Sequence, residues 1–92
     1  MVLTIYYTSV SGSREVKQQQ QAIFQYLDSM KIKYNLIDVA ASNDLKEEMY
    51  RKTGKTEIMP PQIFNGDIYC GDYSMFFDAV EDMKVKEFFQ IK

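Results

Sequence analysis

Histidine and tryptophan are absent from this 92-residue chain, and cysteine occurs once, at Cys70. Without histidine, triads built on an imidazole base and most zinc and haem sites are excluded. The commonest general base near neutral pH is missing too. A single cysteine cannot close an internal disulfide, which fits a reducing compartment; the expected location is cytoplasmic, with a nuclear one also open. No apolar run approaches the ~20 residues that span a bilayer. The start MVLTIYY has no basic region ahead of its apolar part and no small-residue cleavage pattern, so no secretory signal is expected. Formal net charge is -2 and no long basic cluster occurs. Neither nucleic acid nor a membrane is therefore an expected partner.

What is present is the profile of a globular domain: 46% apolar and 26% charged residues, with aromatics at 14%. The length suffices for one small core and not for two, so residues 1–92 are expected to form a single domain. Residues 2–7 read as a strand, with β-branched and aromatic character from Val2, Ile5, Tyr6 and Tyr7. The loop Thr8-Ser9-Val10-Ser11-Gly12-Ser13 follows. Ser11 or Ser13 is suited to cap a helix, and Glu15 suits the positive end of its dipole. Val16, Ile23, Leu27 and Met30 step by three or four, with Gln20 filling the gap, which predicts one helical face. The run Gln18–Gln21 inside that helix is expected to be a solvated face.

Residues 32–39 predict a second strand, parallel to the first because a helix lies between them. Ser42 or Asn43 caps a second helix, carried by Leu45 and Met49 and ended at Gly54. Beyond it, MPPQIFNGDIYCGDY holds both prolines. Gln62–Phe64, an Asn65-Gly66-Asp67 turn and Ile68–Cys70 predict a hairpin. Asp72 is a candidate cap for a third helix, with Met75, Phe76, Ala79, Val80 and Met83 on one face. Val85, Phe88 and Phe89 predict a short final amphipathic turn. A parallel pair and an antiparallel hairpin covered by helices imply a three-layer α/β arrangement.

Other signals carry little. Gly54-Lys55-Thr56 resembles the tail of a phosphate-binding loop, but the motif's first glycine would fall on Met49, and a helix precedes it in place of a strand. Pairs such as Glu47-Glu48 and Glu81-Asp82 lie on predicted helix faces, with no metal-loop or glycosidase spacing. No metal site is expected. Pro60 and Pro61 are adjacent, whereas a P-x-x-P ligand needs prolines three apart in an extended helix.

The element order, with PPQIFNGDIYCGD before the third helix, resembles the thioredoxin fold in its glutaredoxin version. Met59-Pro60-Pro61 stands at the position of the glutaredoxin cis-proline turn, and Cys70-Gly71 at that of a glycine pair. TSVSGSRE, PPQIFNGDIYCGDY and the helix after it are more similar still to the SH3-domain-binding glutamic-acid-rich-like family. The chain resembles its short branch, since it ends at Lys92 without a glutamate-rich tail. The resemblance implies a four-stranded mixed sheet in order 2-1-3-4 flanked by helices.

It also implies a lost activity. In a glutaredoxin the loop after the first strand carries the attacking cysteine; here Thr8 to Ser13 offer no thiol. Exchange needs a thiolate, which a helix N-terminus makes accessible from a pKa of ~8.5. A serine hydroxyl is far harder to ionise and has no histidine to act as its base. The expectation is a protein without enzymatic activity, acting through protein partners or as a modulator of glutaredoxin activity. The alternative is a residual redox or glutathione-binding protein that uses Cys70 or shares an iron–sulfur cluster across a dimer. Cys70 is expected to pack as a small apolar residue, with Asp72 raising its pKa. The glutathione groove of the relatives maps onto Pro60, Pro61, Gly71, Asp72 and Tyr73, with Arg14 beside them. Pro60 would precede the cis-proline and has no N–H, so one backbone bond to glutathione is lost. Only weak glutathione binding, and no cofactor, is expected. Tyr69 and Tyr73 are expected to flank the groove as an exposed patch.

Overall fold

The computed structural model describes residues 2–56 and 58–91. Met1, Glu57 and Lys92, the last being where the tailless reading ends the chain, lie outside them. The order is β1 (Leu3–Tyr7), α1 (Arg14–Ser29), β2 (Tyr34–Asp38), α2 (Asn43–Thr53), β3 (Gln62–Asn65), β4 (Ile68–Asp72), α3 (Tyr73–Glu81) and α4 (Val85–Phe88). The strands form one mixed sheet in order β2-β1-β3-β4. β1 and β2 are parallel, with Ile5 opposite Leu36; β3 is antiparallel to β1 and to β4.

Alternation along β1 sends its side chains into two layers. Leu3 and Ile5 join Ile23 and Leu27 of α1, Ile63, Cys70, Phe76 and Phe89 in the larger core. Tyr6 faces the other way, into a smaller core with Val39, Met49 of α2 and Phe64. Helices α1 and α3 therefore cover one face and α2 the other.

Polar residues start each long helix by satisfying N–H groups that have no partner within it. The Ser13 side chain accepts from Val16 N, Ser42 from Asp44 N and Asp72 from Met75 N. The apolar face expected for α1 is buried at Val16, Gln20, Ile23 and Leu27, but Met30 is its C-cap and half exposed. Gln20 sits on that face as its spacing predicts, while Gln18 and Gln21 of its run are exposed and Gln19 is half-buried. On α3, Phe76 and Ala79 are buried, whereas Met75 is 47% and Met83 92% exposed. The helix stops at Glu81 and the chain turns at Met83 with φ 59°, so Met83 cannot extend the apolar stripe. The Pro60–Pro61 peptide bond is cis.

Candidate functional site

β1 ends at Tyr7, and the chain must leave the sheet, turn and start α1 within a few residues. The hydroxyls of the loop make that turn. Thr8 Oγ1 accepts from Val10 N and donates to Val10 O, both at 3.3 Å. Ser11 Oγ accepts from Ser13 N and donates to Ser13 O, both at 3.1 Å. Ser13 Oγ caps the helix by accepting from Val16 N at 3.4 Å. Such side chain-to-backbone bonds are the ordinary use of these residues in turns.

Two polar side chains anchor the loop to the body. Gln20, 5% exposed, brackets Thr8: its Oε1 accepts from Thr8 N at 2.9 Å and its Nε2 donates to Thr8 O at 3.1 Å. Asp38, at the end of β2, accepts from the Ser9 hydroxyl, from Ser9 N at 3.1 Å and from Ala40 N at 2.9 Å. The bond from the Ser9 hydroxyl, together with those backbone donors, holds the Asp38 carboxyl below the usual carboxylate range. A carboxylate so stabilised is a poor base, so Ser9 beside it gains no nucleophilic activation.

On the other side of the site, Gln62 secures the proline turn. Its Nε2 donates to Met59 O at 2.7 Å, and its Oε1 accepts from the Tyr69 hydroxyl at 2.6 Å. A cavity of about 300 Å³ opens between α1, this turn and the start of α3, lined by Val16, Gln19, Ile58 and Met59 through Gln62, with Asp72 to Ser74. Met59 and Pro60 also line a second cavity of about 240 Å³ under the hydroxyl loop, with Thr8, Val10 to Ser13, Val39 and Lys46. The two form one groove across the ends of the strands. Its rim is apolar and open: Val10 is 79% and Met59 60% exposed.

Of the expected groove residues, Pro60, Pro61, Asp72 and Tyr73 line it, as do all the loop residues except Ser9. Arg14 and Gly71 do not. Gly71 instead carries the chain past α3 with φ 144°, where a Cβ would lie 2.8 Å from Met75 Sδ. Tyr69 is not part of an exposed patch with Tyr73; it packs on Phe64 in the smaller core. Cys70 is 6% exposed, in the larger core, and lines neither cavity. Burial raises its thiol pKa; Asp72 makes no contribution to that rise. The folded domain thus favours the neutral thiol, and that stability declines as pH rises above the unfolded value near ~8.5 toward the higher folded one. Among the described residues no cluster of three or more acidic or cysteine side chains is placed to hold a metal. With one thiol, turned into the core, the residues do not fit a shared iron–sulfur cluster.

A family model described as the SH3-binding, glutamic acid-rich protein matches residues 1–92. The chain belongs to that family. Solved structures with the same fold include an actin interacting protein from C. albicans, with TM-score 0.73 and 20% identity over 94% of this chain and 85% of that one. A buckwheat glutaredoxin–glutathione complex matches at TM-score 0.69 and 15% identity, over 96% and 76% of the two chains. E. coli glutaredoxin matches at TM-score 0.63 and 24% identity, over 90% and 96%. The domain is therefore a thioredoxin-like fold of the glutaredoxin type within the SH3-binding, glutamic acid-rich family.

Three positioning residues carry little sequence signal. Gln20 had one, a polar residue at a core position of a helical face, where burial demands partners. Asp38 and Gln62 had none: Asp38 reaches Ser9 from a neighbouring strand end, and Gln62 holds the Met59 carbonyl and the Tyr69 hydroxyl only once the turn and the hairpin are folded.

Proposed function

We propose that this family member is a glutaredoxin-like interaction module without thiol-exchange chemistry, which acts on protein partners, a glutaredoxin among them, through the groove beside Met59 and Pro60. The observation that carries this is the fate of the loop. Each of its hydroxyls is engaged in shaping the turn, and the chain's one thiol lies buried under α3. Thiol exchange needs a thiolate at the helix start, and no group there can supply one. The exposed apolar rim supports binding in place of catalysis. The family description speaks of SH3 binding, and the C. albicans neighbour of actin interaction; both favour a protein partner.

Glutathione binds weakly at most under this reading. Pro60 offers a carbonyl but no N–H, a net loss of about 1 kcal/mol, and the covalent anchor is absent. The decisive assay is reduction of a small glutathione mixed disulfide. No turnover above buffer is expected, and Cys70→Ser should change nothing. Turnover that vanishes in Cys70→Ser would instead make this a residual redox protein. Met59→Lys, an exposed change, should weaken partner capture without lowering the melting temperature.

A further inference from the structure

β2 is a terminal strand of the sheet, and its outer edge is unguarded. Leu3 N bonds Lys33 O and Val39 N bonds Tyr7 O. In a parallel ladder this directs the backbone groups of odd-numbered β2 residues toward β1. Those of Tyr34, Leu36 and Asp38 therefore point away from the sheet. Proteins usually blunt such an edge with proline, a bulge or an inward charge. The strand YNLID has no proline and no glycine, and its only charge is the terminal Asp38. Asn35 is exposed, and Leu36, a large apolar side chain, is 44% exposed at the middle of the edge.

The ends of this edge carry opposite charge. Lys31 and Lys33 precede the strand and are exposed, against the single carboxylate of Asp28 on the Tyr34 hydroxyl; Asp38 closes the strand, and exposed Asp44 and Glu47 follow at the start of α2 against the single cation Lys46. An edge that is basic at one end and acidic at the other is complementary to itself when turned antiparallel. That is the requirement of a two-fold interface.

We infer that the occupant of this edge is a second copy of the chain, paired antiparallel through β2 with Leu36 on the two-fold axis. Leu36 then exchanges backbone bonds with the partner's Leu36, and Tyr34 with the partner's Asp38, whose carbonyl already accepts from Ala41 N at 3.1 Å and takes the second bond on its other lone pair. On the α1 face, Tyr34 is stacked on Phe24 at 5.9 Å and extends the apolar contact from Leu36. Each basic end meets an acidic one. The sheet becomes continuous across both copies. Leu36 lines neither cavity of the groove, so this inference stands apart from the proposed function.

A short strand buries less than the ~800 Å² per partner of a standard interface, so the expected dissociation constant is on the order of 0.1–1 mM at low salt. Sedimentation and backbone amide exchange on the full chain, from about 10 µM to 1 mM, test this. The expected result is a rise toward dimer mass with concentration, weakened by salt. Amide protection at Tyr34, Leu36 and Asp38 should rise in step, while Asn35 and Ile37 stay protected throughout. Leu36→Lys places two like charges at the axis and should leave a folded monomer, with thermal unfolding as the control. A monomer at 1 mM with fast-exchanging edge amides would overturn the inference. So would a dimer that survives Leu36→Lys, or one whose new protection lies on another surface.

Discussion

Gln20 and Asp38 hold the degenerate loop in place, and each can be removed singly. Gln20→Ala leaves the N–H and C=O of Thr8 half-buried and without their partner, at a cost of about 1–3 kcal/mol. Chemical denaturation should show that loss. A loss below about 0.5 kcal/mol would mean the loop does not need its bracket. Asp38 answers to acid. Its carboxyl pKa is lowered, with the Ser9 hydroxyl as the largest cause. Its contribution is therefore complete above the unfolded carboxylate value near ~3.9 and is lost as pH falls through the lower folded value. The amide signals of Ser9 and Ala40, which both donate to Asp38, should titrate together in that acid range. Asp38→Asn should remove the titration. If the two amides move independently, the carboxylate is not their shared anchor.

At the scale of elements, what the sequence made legible follows from local chemistry. Ser13 and Ser42, each one of two candidates, and Asp72 were readable as caps, and Gly54, at φ 71°, as the end of α2. The prolines and Asp72 were placed at the groove by the resemblance to glutaredoxins, not by local chemistry. The other helix ends were hidden. Lys31, Met83 and Gln90 adopt φ 57°, 59° and 60°, the left-handed conformation usually given to glycine. Each closes its helix with the same pair of backbone bonds, as in Lys84 N to Ala79 O at 2.8 Å and Met83 N to Val80 O at 3.2 Å. Residues with no turn signal were forced into turns by the packing on either side, which is why Met83 read as part of an apolar stripe. The clamps Gln62 and Asp38 were hidden too: Asp38 binds Ser9 across the sheet, and the bonds of Gln62 to Met59 and Tyr69 exist only in the folded turn and hairpin. A side chain in the left-handed region costs about 1–2 kcal/mol. Met83, 92% exposed, gives little back through packing. Met83→Gly should then stabilise the domain, by about 0.5–1 kcal/mol once the greater freedom of an unfolded glycine is counted. A fall in the denaturation midpoint would show that Met83 makes contacts that outweigh the strain.

For the whole molecule, the question is how a small domain keeps an open groove without an internal disulfide to brace it. A folded domain of this size has only about 5–15 kcal/mol in hand. Much of that depends on the last described turn. Phe89 follows α4 and is fully buried, in contact with Phe76 of α3 at 6.1 Å and Phe88 at 5.1 Å between ring centroids. Asn65, at the end of β3, donates to Phe89 O at 2.8 Å and ties that turn to the sheet. α3 in turn supplies Tyr73, one wall of the groove. Phe89→Ala should thus cost about 3–5 kcal/mol. At 4–8 °C per kcal/mol for a domain this small, the melting temperature falls by roughly 10–40 °C. Phe77, 46% exposed on the outer side of α3, is the internal control. Phe77→Ala should cost a small fraction of that while leaving α3 in place. Equal losses in the two variants would mean that the terminal aromatic cluster is decoration on a fold held elsewhere. A large loss confined to Phe89→Ala would mean that the groove's shape is secured from the side of the molecule opposite the loop.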